Sequence, residues 1–303
     1  LLRMGEVITF TSGKGGVGKT TTTANVGVGL SQLDKKVVLI DTDIGLRNLD
    51  VVMGLENRIM YNLVDVLCGR CRIKQALIRD KRFPNLYIIP SACIKEHTRL
   101  SKAQMLHLLE ELKAEFDYIL IDSPAGIDAG FELATCGADH VVVVTTPQVA
   151  AVHDADCVLR IIKKNSQLHC SLLINSYHEQ MAKDGNMLSI EDVTNLLDTE
   201  LLGVVYEDSE VIISQNHGEP VYGRKCKSIL CYENICARIN GEEIPILGDI
   251  PFIGRFFQSK YTNSQKNNLL VFMTCRLVKP DGSALYPEVD NGNNGLPKFP
   301  QNY

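Results

Sequence analysis

The octet Gly13-Lys14-Gly15-Gly16-Val17-Gly18-Lys19-Thr20 matches G-x-x-x-x-G-K-[ST], directly after an apolar β-branched run at 7–11 and directly before a helix-like segment at 20–33. A strand feeding a glycine loop that opens a helix is the phosphate-binding unit of an α/β sheet, so motif and context agree. The glycines let backbone N–H groups close around phosphate oxygens, and the helix N-terminus adds positive potential. In such a loop Lys19 reaches the β/γ oxygens and the Thr20 hydroxyl can ligate Mg2+.

The rest of the chain supplies the sheet that this unit needs. Short apolar runs at 37–40, 86–89, 118–121, 141–145, 172–175 and 203–205 read as buried strands. Helix-like segments at 102–115, 151–164 and 190–197 lie between them, the last preceded by Ser189 with Asp192 at the capping-box position. Alternation of this kind predicts a doubly wound α/β fold with a mainly parallel sheet. With 303 residues and 45% hydrophobic content, the chain can bury one large core.

Composition then narrows the functional classes. A formal net charge of −5, with no long Lys/Arg run, argues against a groove that binds nucleic acid by bulk electrostatics. The ten cysteines are spread through a long chain, and residues 1–10 hold no secretory leader. Reduced thiols and a cytoplasmic setting are therefore expected, with Met4 as the initiator. No stretch reaches the roughly 18 apolar residues of a spanning helix, so any membrane contact is expected to be peripheral.

Two strand ends bring acids to the carboxyl edge of the sheet, where ligands bind in this fold. One run ends in Asp41-Thr42-Asp43, with the two carboxylates expected on one side of the strand. Another ends in Asp122-Ser123-Pro124, which gives Asp122 the placement of a magnesium-holding acid. The guanine-reading Asn-Lys-x-Asp is missing, which favours ATP over GTP.

Lys14 makes the motif more specific. K-G-G-x-G-K-T-T, here Lys14 to Thr21, resembles the deviant Walker A loop of the MinD/ParA family of P-loop NTPases. The D-x-D-I-G-L-R-N-L-D and D-S-P-A-G-I segments are nearer to its MinD branch than to ParA or the flagellar-number ATPases. The likeness covers about residues 4–243 and implies a SIMIBI-type, Mg2+-dependent ATPase that helps to place the division septum. By that resemblance ATP closes a homodimer, Lys14 acts in trans on the partner copy's phosphates, and Asp43 orients the attacking water. It likewise implies that Asp41 supports the metal and switch I, that Thr20 and Asp122 serve Mg2+, and that Asn175 contacts adenine. Ser176 stands where the family has arginine and Tyr206 where it has proline, both beside the base pocket. The helix carrying Asp154 and Asp156 is expected to belong to the surface for MinC-like and MinE-like regulators, with His153 in place of a family arginine.

Other readings compete at particular residues. Cys68-Gly69-Arg70-Cys71 invites a metal-cluster carrier, but a four-ligand site needs more thiolates, and the five-residue spacing of Cys226, Cys231 and Cys236 spreads them around a helix. A ParA-like partitioning ATPase and a non-catalytic scaffold are the further alternatives. From about residue 244 the likeness to MinD ends. Residues 244–285 resemble the closing part of a bacterial secretin, with an L-G-D-I-P-x-I-G core, and the Asn/Gly/Pro-rich 291–303 reads as a disordered tail. A single strand cannot close a barrel, so this segment is not expected to be a pore, and no amphipathic membrane helix is seen there. It is either a natural fusion or an accidental junction of two genes.

Overall fold

A computed structural model describes residues 4–93, 100–165, 168–224 and 226–244. All of them fall within one compact unit, Leu1–Ser259. The secretin-like segment, apart from Ile244, and the tail at 291–303 lie outside the described residues.

Eight strands form a single sheet: β1 (Glu6–Thr11), β2 (Val37–Asp41), β3 (Ile78–Arg79), β4 (Leu86–Ile89), β5 (Tyr118–Asp122), β6 (His140–Thr145), β7 (His169–Tyr177) and β8 (Glu200–Tyr206). Their order is β3-β4-β2-β5-β1-β6-β7-β8, and every pair is parallel except β3 with β4. The seven expected strands are all present, so the doubly wound reading holds. β3 is the one strand that the hydrophobic pattern does not announce, because two residues are too few to show a period.

The helices are α1 (Lys19–Gln32), α2 (Leu49–Val52), α3 (Leu63–Leu67), α4 (Ile73–Ala76), α5 (Lys102–Lys113), α6 (Ala129–Thr135), α7 (Val149–Asn165), α8 (Glu179–Lys183), α9 (Ile190–Leu197), α10 (Ser209–Asn216) and α11 (Lys227–Ile239). α9 starts where its capping box predicts: Asp192 N donates to Ser189 Oγ at 3.0 Å, and Ser189 N donates to Asp192 Oδ2 at 3.0 Å.

The core sits on both faces of the sheet, which is why its strands are apolar without alternation. Val141, Val142, Val143 and Val144 of β6 are all buried, each contributing roughly 1.5–3 kcal/mol of apolar burial. α1 lies between the sheet and α11, buried along most of its length. Its composition follows: Gly27 lets the helix backbone approach Leu39, where a Cβ would collide with the leucine side chain. That close approach holds the phosphate loop, at the head of α1, against the carboxyl ends of β2 and β5.

Candidate nucleotide site

The loop between β1 and α1 owes its shape to its glycines. Gly16 and Gly18 take φ of +80° and +92°, the left-handed region that side chains avoid. A Cβ on Gly18 would strike the Asn175 amide, and one on Gly13 would strike the Asp154 backbone of α7, so strand β7 and helix α7 both press on the loop. Gly15 and Gly16 have open space around them and are exposed. The tight side of the loop packs on protein and the open side is left for a ligand.

The two lysines of the loop are disposed differently. Lys14 is exposed on the rim, and its carbonyl accepts from Ser12 Oγ at 2.7 Å. Lys19 is buried at 9% exposure, and burial lowers its ammonium pKa against the pull of Asp122 and Asp43. Thr20 hydrogen bonds Asp122, and Thr21 Oγ1 accepts from Gln215 Nε2 of α10. Val17 is buried, and its carbonyl accepts from Asn175 Nδ2 at 2.8 Å. Asn175 thus lies beneath the loop. Strand β7 runs two residues past it, through an irregular stretch where Ser176 has φ of +56°.

The parallel register brings Asp41 and Asp122 side by side at the carboxyl edge. Both are buried, and their environments differ. Asp41 Oδ1 accepts from Asp43 N at 2.9 Å, and its Oδ2 accepts from Asn48 N and Leu49 N at 3.2 Å each. Its carboxylate therefore anchors the turn that opens α2. Burial outweighs those amides and pushes its pKa up to about 6. Asp122 is raised to about 7, by burial first and by Asp41 second. Its Oδ1 is buried without a hydrogen-bond partner in the described structure. An orphaned carboxylate oxygen next to Thr20 and Lys19 fits a divalent cation, which would supply the missing positive charge. Asp43 stands beyond the end of β2, half-buried; the strand ends at Asp41, so strand alternation does not set the direction of Asp43.

These groups line one cleft of about 930 Å3, walled by Lys19, Thr20 and Asp43 on one side and by Asn48 and Val52 of the α2 segment, Pro124, and Gln215 of α10 on the others. Gln215 belongs to no motif, and the chain brings it here only by folding, whereas Asn48 lies within the D-x-D-I-G-L-R-N-L-D segment. The nine cysteines among the described residues are free thiols. Among the described residues, no helix is long and apolar enough to cross a membrane.

The AAA domain family matches residues 5–175. The septum site-determining protein MinD of Bacillus subtilis is 49% identical over 246 residues, covering 80% of this chain and 92% of the relative. That of Helicobacter pylori is 47% identical over 248 residues, with 80% and 92% covered. Among solved structures, the MinC:MinD cell division protein complex of Aquifex aeolicus aligns with a TM-score of 0.75 and 42% identity, over 79% of this chain and 97% of that one. MinD complexed with Mg-ADP from Pyrococcus horikoshii aligns at 0.71 with 29% identity, over 78% and 96%. A second family, bacterial type II and III secretion system protein, matches residues 237–279, most of them outside the described residues. With about half of the aligned residues shared across nearly the full length of its relatives, and with a phosphate loop and acids arranged for a nucleotide, the chain belongs to the MinD family of septum site-determining ATPases.

Proposed function

We propose that the cleft binds ATP with Mg2+ and hydrolyses it in a homodimer whose two copies complete each other's sites. The observation that carries the chemistry is the orphaned Asp122 Oδ1 beside Thr20 and Lys19. Thr20 and Asp122 would hold Mg2+, whose role is to draw charge from the phosphate oxygens as the terminal phosphoryl group leaves. Asp41, its oxygens engaged by three amides, fixes switch I and so places Asp43. Asp43 accepts a hydrogen bond from the attacking water, whose oxygen bonds to the γ-phosphorus as the bond to the bridging oxygen of ADP breaks. Lys19 and the amides of Gly13, Gly15, Gly16, Val17 and Gly18 grip the phosphates, and Thr21 braces the loop through Gln215. Asn175 holds the loop through Nδ2, which leaves its Oδ1 to accept from the adenine amino group.

The exposure of Lys14, against the burial of Lys19, supports a role for Lys14 across the dimer. Added positive charge from the partner copy would stabilise the transition state as an arginine finger does. Lys14→Ala should keep ATP affinity while ATP-dependent dimerisation or turnover is lost, as read by calorimetry, gel filtration and phosphate release on one preparation. A variant that dimerises and turns over like the parent would rule out the trans role.

A MinC-like partner is supported by the solved MinC:MinD complex, and a MinE-like regulator by the family resemblance. Their surface would include α7, where exposed His153 lies beside Asp154 and where Asp156 pairs with Arg160 at 2.7 Å. The ATPase body spans residues 1–243, followed by the secretin-like segment at 244–290 and the tail at 291–303, which apart from Ile244 lie outside the described residues. It works in the cytoplasm and peripherally at the inner face of the cell membrane.

A further inference from the structure

Two walls of the cleft are joined behind it by one side chain. The first wall is α2, a single turn whose N-terminal amides bond to Asp41 and whose C-cap is Met53. The second is α10, whose Gln215 lines the cleft and whose chain turns back at Gly218. Gly54 and Gly218 meet there: a Cβ on Gly54 would lie 2.5 Å from the Gly218 carbonyl oxygen, and one on Gly218 would lie 2.9 Å from Gly54 Cα. Both glycines have positive φ, +62° and +65°, so neither tolerates a side chain.

Arg82, in the turn between β3 and β4, spans that junction. Its Nη2 donates to Met53 O at 2.5 Å and its Nη1 to Gly218 O at 3.2 Å. Asp80 holds the guanidinium in place: Oδ1 accepts from Arg82 Nε at 3.1 Å and from Arg82 N at 2.7 Å, and Oδ2 accepts from Nη2 at 2.8 Å. The Asp80 side chain is 1% exposed and that of Arg82 is 38% exposed. A planar fork anchored on a buried carboxylate is pre-organised to bridge two carbonyls in a way that a lysine ammonium cannot match.

We propose that Arg82 is a positioning residue for the ATPase reaction, setting the separation of α2 and α10 and hence the width of the nucleotide cleft. This rests on the reading that the cleft holds ATP. Arg82 lines neither the loop nor the acid cluster, so it acts through the walls: the C-cap of α2 is held by Arg82 as its N-terminal amides are held by Asp41. Loosening the junction costs nucleotide grip more than chemistry, because Lys19, Asp43 and Asp122 keep their own supports.

The test uses the full chain with ATP and Mg2+, and compares the parent with Arg82→Lys, Arg82→Met and the double variant Asp80→Asn/Arg82→Met. Arg82→Met alone leaves the buried Asp80 charge uncompensated and should lower the melting temperature. The double variant removes that charge and should regain most of the lost stability. The expected result is a KM for ATP about tenfold above the parent in all three, with kcat within about threefold. A double variant whose KM returns with its melting temperature would show that Arg82 merely neutralises Asp80, and an unchanged KM in Arg82→Lys or in the double variant would also overturn the proposal. Saturable ATP binding by the parent, measured by calorimetry, checks the site reading separately.

Discussion

Asp41 and Asp122 sit at the same level of adjacent strands, both buried, yet folding gives them opposite tasks. Three amides converge on Asp41, which makes it a structural anchor of the segment that carries Asp43. Asp122 keeps one oxygen without a partner, which makes it the acid with something left to bind. Asp43 is less buried than either and lines the cleft, where an attacking water has access. Asp43→Ala should therefore leave ATP affinity near that of the parent, since Lys19, Thr20 and the loop amides are untouched. Phosphate release should fall by a factor on the order of 10² to 10⁴, as for a lost water-orienting group. The variant should then accumulate as the ATP-bound dimer in gel filtration. Normal release, or a variant that no longer binds ATP, would reassign the residue.

At the scale of elements, β6, β7 and β8 carry a titratable row at their amino-terminal ends, opposite the cleft. His140 of β6 is buried, its ring centroid lies 4.3 Å from that of His169 of β7 with the rings tilted by 47°, and it shares a 2.8 Å hydrogen bond with Ser171; His169 in turn lies 3.2 Å from Glu200 of β8. Burial, reinforced by His169, lowers the His140 pKa to about 4, with Glu200 opposing. The unfolded chain, with a histidine near pH 6.5, binds the extra proton first, so the stabilisation is complete above that pH and is lost as the pH falls towards 4. Between pH 7 and pH 5 the fold should lose about 2 kcal/mol from this group. His140→Gln, which can still bond to Ser171, should flatten that slope in denaturant melts. An equal slope in the variant would place the acid sensitivity elsewhere.

For the molecule as a whole, the sheet order explains why one end does the chemistry. β1 is central, with β5 and β2 on one side and β6 on the other, so the loop after β1 and the acids after β2 and β5 open at a single carboxyl edge. α7 and β7 close on the loop from the other side, through Asp154 and Asn175. The described part of this body ends at Ile244, and every residue assigned to the cleft precedes it. A version ending at Glu243 should thus match the full chain in ATP turnover. ATP-dependent liposome sedimentation of the two side by side then isolates what the later residues add to membrane binding. A truncated protein that loses turnover would make those residues part of the catalytic body.

What the sequence determined alone is what depends on neighbours along the chain. The β-branched runs, the glycine loop between strand and helix, and the Ser189–Asp192 box each involve residues a few positions apart, so local backbone preference and hydrophobic period suffice to reveal them. The acids were legible because each follows an apolar run, and the end of a strand is itself a local feature. Tertiary structure decided the rest. That Asp41 is held by amides while Asp122 keeps a bare oxygen depends on the turn into α2 and on strand register, neither of which is a pattern in the residues. Gln215 reaches Thr21 across 194 positions, and Arg82 reaches Met53 and Gly218 across 29 and 136. Contacts between such distant residues follow only from how the elements pack, because a hydrogen bond between them leaves no period or spacing in the chain.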